Sequence, residues 1–330
     1  MEEVARVYGY DRIQPEMPCT TNIMNPLDIN ILYQQGLKSK LINLGYSEII
    51  SYAFLEEKFE ELYGLSEITA IKLKNPIAGL SVMRTSLIAD LLKSLMVNLN
   101  RGHRWVRIFE LARVFHGETI DNQPLKLSGL IYGNYQISSW ANQPYRPIDF
   151  YDIKHDVEKL LTGINNVNFI TCDDYPLLHS GRCAKITAEN NQIGIIGQIH
   201  PKYLGQLGLS DLPYIFELDV AAMSRLHIAS AVAVKEVSKF QKVERDLAFV
   251  LDAKVKVGSI LEAINQASIP YLSTLNVFDV YQGDNLPADF KSVAINFLFQ
   301  GGKTLNDDEI NSSIEKITNI VREQFLAILR

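Results

Sequence analysis

The C-terminal part of the chain constrains the fold most strongly, because its apolar residues recur at two different spacings. Alternating apolar residues predict strands, and apolar residues three or four positions apart predict helices. Asn306 followed by Glu309 has the pattern of a capping box, which marks the start of the last helix. The predicted elements are, in chain order, a strand over 243–252, a helix over 257–267, strands over 275–281 and 291–300, a helix over 306–325 and a short strand over 326–329.

This order of strands and helices, βαββαβ, is that of a ferredoxin-like fold. Alternation places one set of apolar residues of the third strand against the helices, namely Val293, Ile295, Phe297 and Phe299. The opposite face of the first and third strands consists of Glu244, Asp246, Ala248, Ala294, Asn296, Leu298 and Gln300. That face offers no aromatic platform for RNA bases, and its two acids repel phosphate.

Upstream of this module, helices and strands are mixed without strict alternation, which predicts an α+β domain built on a largely antiparallel sheet. A chain of 330 residues is long for one domain. A candidate linker runs over 225–236 and contains the uncharged run ASAVAV at 229–234, which predicts an approximate domain boundary near residue 229. The predicted upstream elements are a helix over 2–10 ending at Gly9, a helix capped by Asn25 and ending near Gly45, strands over 47–55 and 71–73, a turn at 75–76, a helix over 84–99, strands over 104–115 and 127–132, a helix over 152–161, and strands over 193–199 and 214–218.

Composition limits the classes of function. The net charge of −6 weighs against simple electrostatic binding of RNA, and both parts of the chain are net negative, so an RNA contact requires a local cluster. No apolar run approaches the roughly 18 residues that span a membrane, and the acidic start, Glu2 and Glu3, predicts no signal peptide. Three widely spaced cysteines, Cys19, Cys172 and Cys183, predict neither a disulfide framework nor a zinc site, and they favour a reducing cytoplasm.

Several runs of residues carry a family resemblance when they are taken in chain order. The upstream runs are VMRTSL at 82–87, NLNRGHRWVRIFELARVF at 98–115, FYDIKHDV at 150–157 and LHSGRCAKI at 178–186. The downstream runs are SKFQKVERDLAFVL at 238–251, FDVYQG at 278–283 and FLFQGGKTLNDDEIN at 297–311. The upstream set resembles the catalytic-like module of bacterial phenylalanine–tRNA ligase β subunits, and the downstream set resembles the ferredoxin-like anticodon-binding module of the same family.

The resemblance implies a fold and a domain organisation. Residues 1–20, with the run EEVARVYGYDRI, look like the end of a small, B5-type domain. Residues 21–228 are then expected to form a class II synthetase-like domain with an antiparallel sheet, and residues 229–330 a ferredoxin-like anticodon-binding domain. The resemblance further implies that editing and N-terminal tRNA-binding modules lie upstream of this sequence.

The resemblance also implies a supporting role without catalysis. In the α subunit of the family an arginine follows the strand that VRIFELARVF resembles, whereas this chain has His116 there. An imidazole does not replace a permanently charged, bidentate guanidinium, so we expect no catalytic residue. ATP and Mg²⁺ are expected to act in the α subunit, and the expected partners are that α subunit, tRNA(Phe) and a second β subunit in an α2β2 assembly. For Arg84 and Arg113 we expect structural salt bridges.

Two further groups of residues follow from the resemblance. Glu2 and Glu3 match an acidic pair that contributes to a magnesium site in the family, and their structural alternative is a solvated pair at a helix start. The candidates for RNA contact near strand ends and loops are Lys239, Phe240, Lys242, Arg245, Tyr281 and Lys303. Their structural alternative is a core aromatic ring and a solvated face of lysines. Gln241, Glu244 and Lys303 depart from residues common in the family, which leaves the individual contacts open.

Two other classes of function remain open from the residues alone. A regulatory or protein-interaction protein with an ACT-like domain fits the acidic balance of residues 229–330, although the ordered upstream runs oppose it. An independent enzyme requires an assembled site. His155, His179 and His200 stand in no recognisable catalytic pattern, and we expect structural roles for them.

Overall fold

The structure is a computed structural model that describes residues 1–17, 19, 26–64, 68–135, 140, 146–227, 238–283, 285–287 and 289–330. The chain divides into two compact units, Met1–Ala231 and Val232–Arg330. Each unit has its own main sheet and its own hydrophobic core.

The described part of the first unit is a mixture of short helices and longer strands. Its helices are α1 (Glu2–Tyr8), α2 (Ile29–Asn43), α3 (Glu57–Tyr63), α4 (Ile88–Asn100), α5 (Phe150–Leu160), α6 (Leu204–Leu207) and α7 (Val220–Leu226). Its strands are β1 (Ser47–Glu48), β2 (Phe54–Glu56), β3 (Lys72–Ile77), β4 (Leu80–Met83), β5 (Val106–Arg113), β6 (Leu125–Tyr132), β7 (Val167–Thr171), β8 (Leu178–Ala188), β9 (Asn191–Ile199) and β10 (Tyr214–Asp219).

Seven of these strands form one sheet in the order β1-β5-β6-β10-β9-β8-β7. Neighbouring strands are antiparallel except β1 and β5, which are parallel. The strands β2, β4 and β3 form a separate small antiparallel sheet. The prediction of an α+β domain on a largely antiparallel sheet is therefore confirmed.

Helices cover both faces of the seven-stranded sheet. One face packs against α2, α5 and α7, and the other packs against α3, α4 and α6. Phe109 and Phe216 are fully buried on the first face. Gly129 in β6 makes room for this packing, because a Cβ atom there would lie 2.5 Å from the Phe216 ring. Burial on both faces explains why β5 and β6 show no clean alternation of apolar and polar residues.

Several local predictions for the first unit are wrong, each for a local reason. The predicted strand over 47–55 is two short strands, β1 and β2, in different sheets, because Ser51 between them turns to bind Glu110. Asn25 lies outside the described residues, and the N-cap of α2 is Asp28, whose Oδ1 accepts from the Asn30 N–H at 2.8 Å. The predicted turn at 75–76 lies within β3, and the strands β7 and β8 were not predicted.

The cysteines also differ from the prediction. Cys172 and Cys183 form a disulfide with a Cα–Cα distance of 5.7 Å, whereas Cys19 is free and exposed. The antiparallel pairing of β7 with β8 places Thr171 opposite Ala184, and therefore brings the next positions together. The spacing of the cysteines in the sequence does not reveal which of them pair, because the pairing depends on the register of β7 and β8.

The second unit has the predicted ferredoxin-like order. Its elements are β11 (Val243–Asp252), α8 (Val257–Gln266), β12 (Leu272–Tyr281), β13 (Phe290–Phe299), α9 (Asp307–Phe325) and β14 (Ile328–Leu329). The sheet order is β12-β13-β11-β14, and all the neighbours are antiparallel. Phe297 and Phe299 are fully buried under the helices, as predicted. Asn306 and Glu309 form the predicted capping box at the start of α9.

Candidate nucleic-acid interface

Three of the predicted RNA-contact residues lie beside one end of the ferredoxin-like sheet. Val243 at the start of β11 pairs with Phe299 at the end of β13, so Lys239, Phe240 and Lys242 lie near that end. The Gln300 side-chain amide donates to the Phe240 carbonyl oxygen at 3.1 Å and fixes this segment. The Phe240 side chain is 41% exposed, which makes its ring available for stacking.

Lys239 and Lys242 are exposed cations in this segment. Neither has an acidic partner within 4 Å among the residues that the structure describes. An unpaired ammonium group keeps its full charge for an anion in solution. The two lysines are therefore suited to hold phosphates.

Arg245 and Lys303 are placed differently, because both are paired with acids of α9. Lys303 Nζ lies 2.6 Å from Glu309 Oε1, and Arg245 Nη2 lies 3.5 Å from Asp307 Oδ1. The hydrogen bond from Lys303 and its positive charge lower the pKa of Glu309, and the same contact raises the pKa of Lys303. These carboxylates offset part of the positive charge that a phosphate would meet.

Tyr281 lies at the other end of the same sheet. It pairs with Ser292 of β13, whereas Leu272 pairs with Phe299. The stretch of β13 between these positions spans about 23 Å at about 3.3 Å per residue. The structure therefore does not bring Tyr281 together with Lys239 and Lys242.

Strand pairing places Tyr281 on the open face of the sheet, in a row with residues that the sequence did not single out. Ser292 lies opposite Val250, and Val250 lies opposite Ile328 of β14. Ser292 and Val250 thus lie between Tyr281 and Ile328 in this row, and Ala248 and Ala294 form the next row. Alternation alone missed this arrangement, because β12 has an irregular register between Val277 and Asp279. The Tyr281 ring is 38% exposed and lies beside Gly283, and an exposed aromatic ring suits the stacking of a base.

The first unit contains a buried polar cluster around Arg84, which follows β4. Arg84 Nη1 donates to Asp90 at 3.0 Å and to Glu110 at 3.1 Å, and all three side chains are buried. The predicted salt bridge of Arg84 is confirmed. Two buried carboxylates, those of Asp90 and Glu110, thus already pair with the guanidinium group. Arg84 is therefore not free to hold a phosphate.

More acids complete this cluster. Glu217 accepts from the Ser86 hydroxyl and from the Leu87 N–H, both at 2.8 Å, and Glu60 accepts from the Thr85 N–H at 3.0 Å. Burial raises the pKa of Glu60 and that of Glu217. A cluster rich in buried carboxyl groups opposes the binding of ATP phosphates.

The remaining candidates for catalysis have structural partners. His116 Nε2 lies 3.0 Å from the Thr85 carbonyl oxygen. His179 Nδ1 accepts from the Gly181 N–H, and His200 Nδ1 accepts from the Lys202 N–H at a short helical turn.

Two further sequence candidates lie on the surface. His155 is exposed on α5. The salt bridge predicted for Arg113 is wrong within the described residues, because its Nη1 donates to the Gln123 carbonyl oxygen at 2.6 Å.

Glu2 and Glu3 lie in the first turn of α1, where their charge suits the helix dipole. Glu3 forms an ion pair with Arg6, and both side chains are exposed. A magnesium ion needs several oxygen ligands, and within the described part of the chain no group of three acidic, histidine or cysteine side chains converges. The pair by itself does not fit a magnesium site, and we derive no chemistry from one.

Comparison with known proteins identifies the class. Residues 13–220 match the family model of the phenylalanyl tRNA synthetase beta chain CLM domain, and residues 238–330 match that of the ferredoxin-fold anticodon binding domain. The chain is thus a protein of the aminoacyl-tRNA synthetase class. Similar curated proteins include the phenylalanine–tRNA ligase β subunits of Francisella tularensis, 35% identical, and of Chromobacterium violaceum, 36% identical, each over 98% of this chain. The chain belongs to the family of phenylalanine–tRNA ligase β subunits.

The matches also define the extent of the likeness. The chain spans about two fifths of the length of these relatives, 40% and 41% respectively. A solved pyrrolysyl tRNA synthetase of Desulfitobacterium hafniense has a TM-score of 0.46 and 13% identity, with 59% of this chain and 67% of that chain covered. That likeness is too low to carry an inference. The match of residues 238–330 to an anticodon-binding domain disfavours the ACT-like alternative. Among the described helices, none combines the length and apolar character that a membrane crossing requires.

Proposed function

We propose that this chain is the C-terminal part of a phenylalanine–tRNA ligase β subunit, which supports the ATP-dependent charging of tRNA(Phe) with phenylalanine. In this proposal residues 21–228 pack on the α subunit, and residues 229–330 contact the anticodon region of the tRNA. Residues 1–20 are the end of a preceding small domain, where Glu2 and Glu3 contribute to a magnesium site only together with ligands from elsewhere. ATP and Mg²⁺ act in the α subunit, and the assembly is a cytoplasmic α2β2 heterotetramer. The observation that carries the proposal is the match, in one order along the chain, of residues 13–220 to the CLM-domain model and of residues 238–330 to the anticodon-binding model.

The absence of catalysis in this chain has a physical basis in the Arg84 cluster. Asp90 and Glu110 pair with that guanidinium, and His116 follows β5 at the place where the family's α subunit has an arginine by the resemblance. The purified chain is expected to show no phenylalanine-dependent exchange of pyrophosphate into ATP. Clear exchange above a no-enzyme control would contradict this part of the proposal.

Helix α2 is the best candidate for the surface that packs on the α subunit. Leu37 and Leu41 bury one side of this helix in the core, yet Ile29 and Ile42 are 78% and 56% exposed. A helix that is apolar on more than one side is usually covered on more than one side. In the segment after it, Ile50 is 93% exposed.

The α2 surface is tested by co-purification. Ile29→Asp with Ile42→Asp is expected to weaken the retention of the α subunit at least tenfold. Asn168→Asp with Gln192→Asp adds the same charge to exposed polar positions of β7 and β9 and serves as the matched control. Equal retention by the two double variants would contradict the assignment of this surface.

The tRNA contact is proposed to use two places on the ferredoxin-like module. Lys239 and Lys242 hold phosphates at one end of the sheet, with Phe240 beside them and with weaker contributions from Arg245 and Lys303. Tyr281 stacks on a base at the other end. The free charge of the first group and the exposed ring of the second support this division.

The two places predict different changes in binding by the assembled enzyme. Lys239→Glu with Lys242→Glu is expected to reduce the salt slope of tRNA binding by about one to two, because about one counterion is released per phosphate contact. Tyr281→Ala is expected to cost about 1–3 kcal/mol with an unchanged salt slope, because stacking is not ionic. Lys254→Glu with Lys316→Glu is the control for charge, since both lysines are exposed elsewhere on the module. Wild-type binding in both test variants would reject the placement.

A further inference from the structure

The turn that follows α4 in the first unit concentrates positive charge without a described partner. Arg101, His103 and Arg104 are all exposed within four residues. Within the described residues, none of the three has an acidic side chain within 4 Å, whereas Lys93 on the same helix is paired with Glu56. In a chain whose net charge is −6, two arginines and a histidine within four residues form a locally basic patch.

Capping of α4 does not account for this patch. The Arg101 N–H donates to the Val97 carbonyl at 3.2 Å, the Gly102 N–H to Leu99 at 2.9 Å, and the His103 N–H to Asn98 at 3.1 Å. The main chain of the turn therefore satisfies the terminal carbonyl groups of the helix. The guanidinium groups of Arg101 and Arg104 are not required for this task.

A polar cavity of about 410 Å³ lies directly beside the turn. Its lining includes His103 and Arg104 of the turn, Tyr132 and Gly133 at the end of β6, and Ser210 and Asp211, whereas Arg101 lies in the same turn outside the lining. Tyr132 Oη lies 3.0 Å from Ser210 Oγ, so two hydroxyl groups are held together in the wall. Gly133 has a φ of +98°, and a Cβ atom there would lie 2.3 Å from the Arg104 carbonyl oxygen. The glycine thus allows the end of β6 to pass close to the turn.

We propose that this turn and cavity form a phosphate-binding site. One guanidinium group can donate to two phosphate oxygens at once. Hydroxyl and amide groups are neutral donors for the remaining oxygens. Asp211 is the one acid in the described lining, and its side chain is exposed. Its negative charge opposes the binding of an anion, whereas the guanidinium groups of the turn favour it. The phosphate belongs either to an RNA backbone or to a free phosphate compound such as pyrophosphate. The RNA form of the proposal rests on the proposed function, whereas the free-phosphate form does not.

The test uses the complete 330-residue chain and two probes, pyrophosphate and tRNA(Phe). Arg101→Glu with Arg104→Glu is expected to weaken the binding of at least one probe tenfold or more. If the source is RNA, the salt slope of tRNA binding also falls by about two, because about one counterion is released per lost contact. Arg101→Lys with Arg104→Lys keeps the charge and should retain the salt slope, but it should lose part of the affinity because an ammonium group does not bind two phosphate oxygens at once.

The matched control is Lys58→Glu with Lys159→Glu, which makes the same change in net charge at exposed positions of α3 and α5. If the arginine variant, but not the control, binds pyrophosphate more weakly while tRNA binding is unchanged, the bound group is a free phosphate compound. This outcome can be observed even if the chain does not bind tRNA. Weaker tRNA binding alone identifies RNA. Unchanged binding of both probes, with or without a lower melting temperature, would overturn the proposal and assign the arginines to the helix dipole. That result would leave the tRNA surface of the second unit, and its own variants, unaffected.

Discussion

Arg84 Nη1 lies 3.0 Å from Asp90 Oδ2, with only 4% of either side chain exposed. Burial raises the pKa of Asp90 from 3.8 to about 6, although the hydrogen bond and charge of Arg84 act in the opposite direction. Glu110 shares the same guanidinium at 3.1 Å, so the cluster holds more carboxyl groups than one cation can neutralise. The cost of keeping Asp90 ionised in the interior makes the first unit sensitive to pH.

The first prediction concerns stability between pH 4 and pH 6. In this window the folded state holds a proton on Asp90 that the unfolded state has released, so the free energy of unfolding falls as the pH rises. A pKa near 6 instead of near 4 corresponds to about 3 kcal/mol for this group. Asp90→Asn cannot ionise and should remove that part of the pH dependence.

Urea unfolding followed by tryptophan fluorescence measures this effect, because both tryptophans, Trp105 and Trp140, belong to the first unit. The stability difference between wild type and Asp90→Asn should change by about 3 kcal/mol in favour of the variant from pH 4 to pH 7. Asp121→Asn, at an exposed position, controls for the loss of one carboxylate. A difference that is constant across this range would contradict a raised pKa for Asp90.

A second buried pair tests how strongly the other face of the sheet depends on charge. Arg107 Nη1 lies 3.0 Å from Asp156 Oδ2, which also accepts a hydrogen bond from the Tyr46 hydroxyl at 2.8 Å. Asp156→Ala leaves a buried guanidinium without its partner and should cost about 3–5 kcal/mol. Asp173→Ala, at an exposed position, should cost less than about 0.5 kcal/mol in the same denaturation experiment. Equal costs would show that Arg107 finds other partners or water.

Two phenylalanines of the second unit offer a matched comparison of burial. Phe297 is fully buried between the sheet and the helices, whereas Phe278 on β12 is 56% exposed. Phe297→Ala should reduce the free energy of unfolding by about 3–5 kcal/mol, and Phe278→Ala by less than about 1 kcal/mol. Circular dichroism in urea measures both changes. A large cost for Phe278→Ala would mean that this edge of the sheet is covered in the protein.

The accuracy of prediction from the sequence differs between the two units for a physical reason. In the second unit, β11 begins and ends as predicted, since half-buried antiparallel strands alternate cleanly and Asn306 and Glu309 mark a helix start. The sheet of the first unit is buried on both faces, so its strands lose that alternation. The strand β8 is further interrupted in sequence by Gly181 and exposed residues around it, which explains why it was not predicted.

The candidate site shows the same limit. The exposed cations Lys239 and Lys242 are visible from the sequence, because they precede a strongly patterned strand. The distance between these two lysines and Tyr281 depends on which ends of β11, β12 and β13 lie side by side. Only the strand pairing in the folded protein determines this arrangement. The acid partner of Lys303 lies six residues further along the chain, but only the folded turn shows that the two groups touch.

The last prediction uses that contact to test whether Lys303 faces the tRNA. Glu309→Gln keeps a side chain that can complete the capping box with Asn306, but it removes the negative charge that lies 2.6 Å from Lys303 Nζ. If Lys303 contacts a phosphate, the assembled enzyme should bind tRNA about two- to threefold more tightly, with a salt slope steeper by up to about one. Glu323→Gln, at an exposed position near the other end of α9, removes the same charge and is the control. Equal effects of the two variants would show that only the overall charge of the module matters. No effect of Glu309→Gln, together with a loss of binding in Lys239→Glu with Lys242→Glu, would place Lys303 outside the tRNA contact.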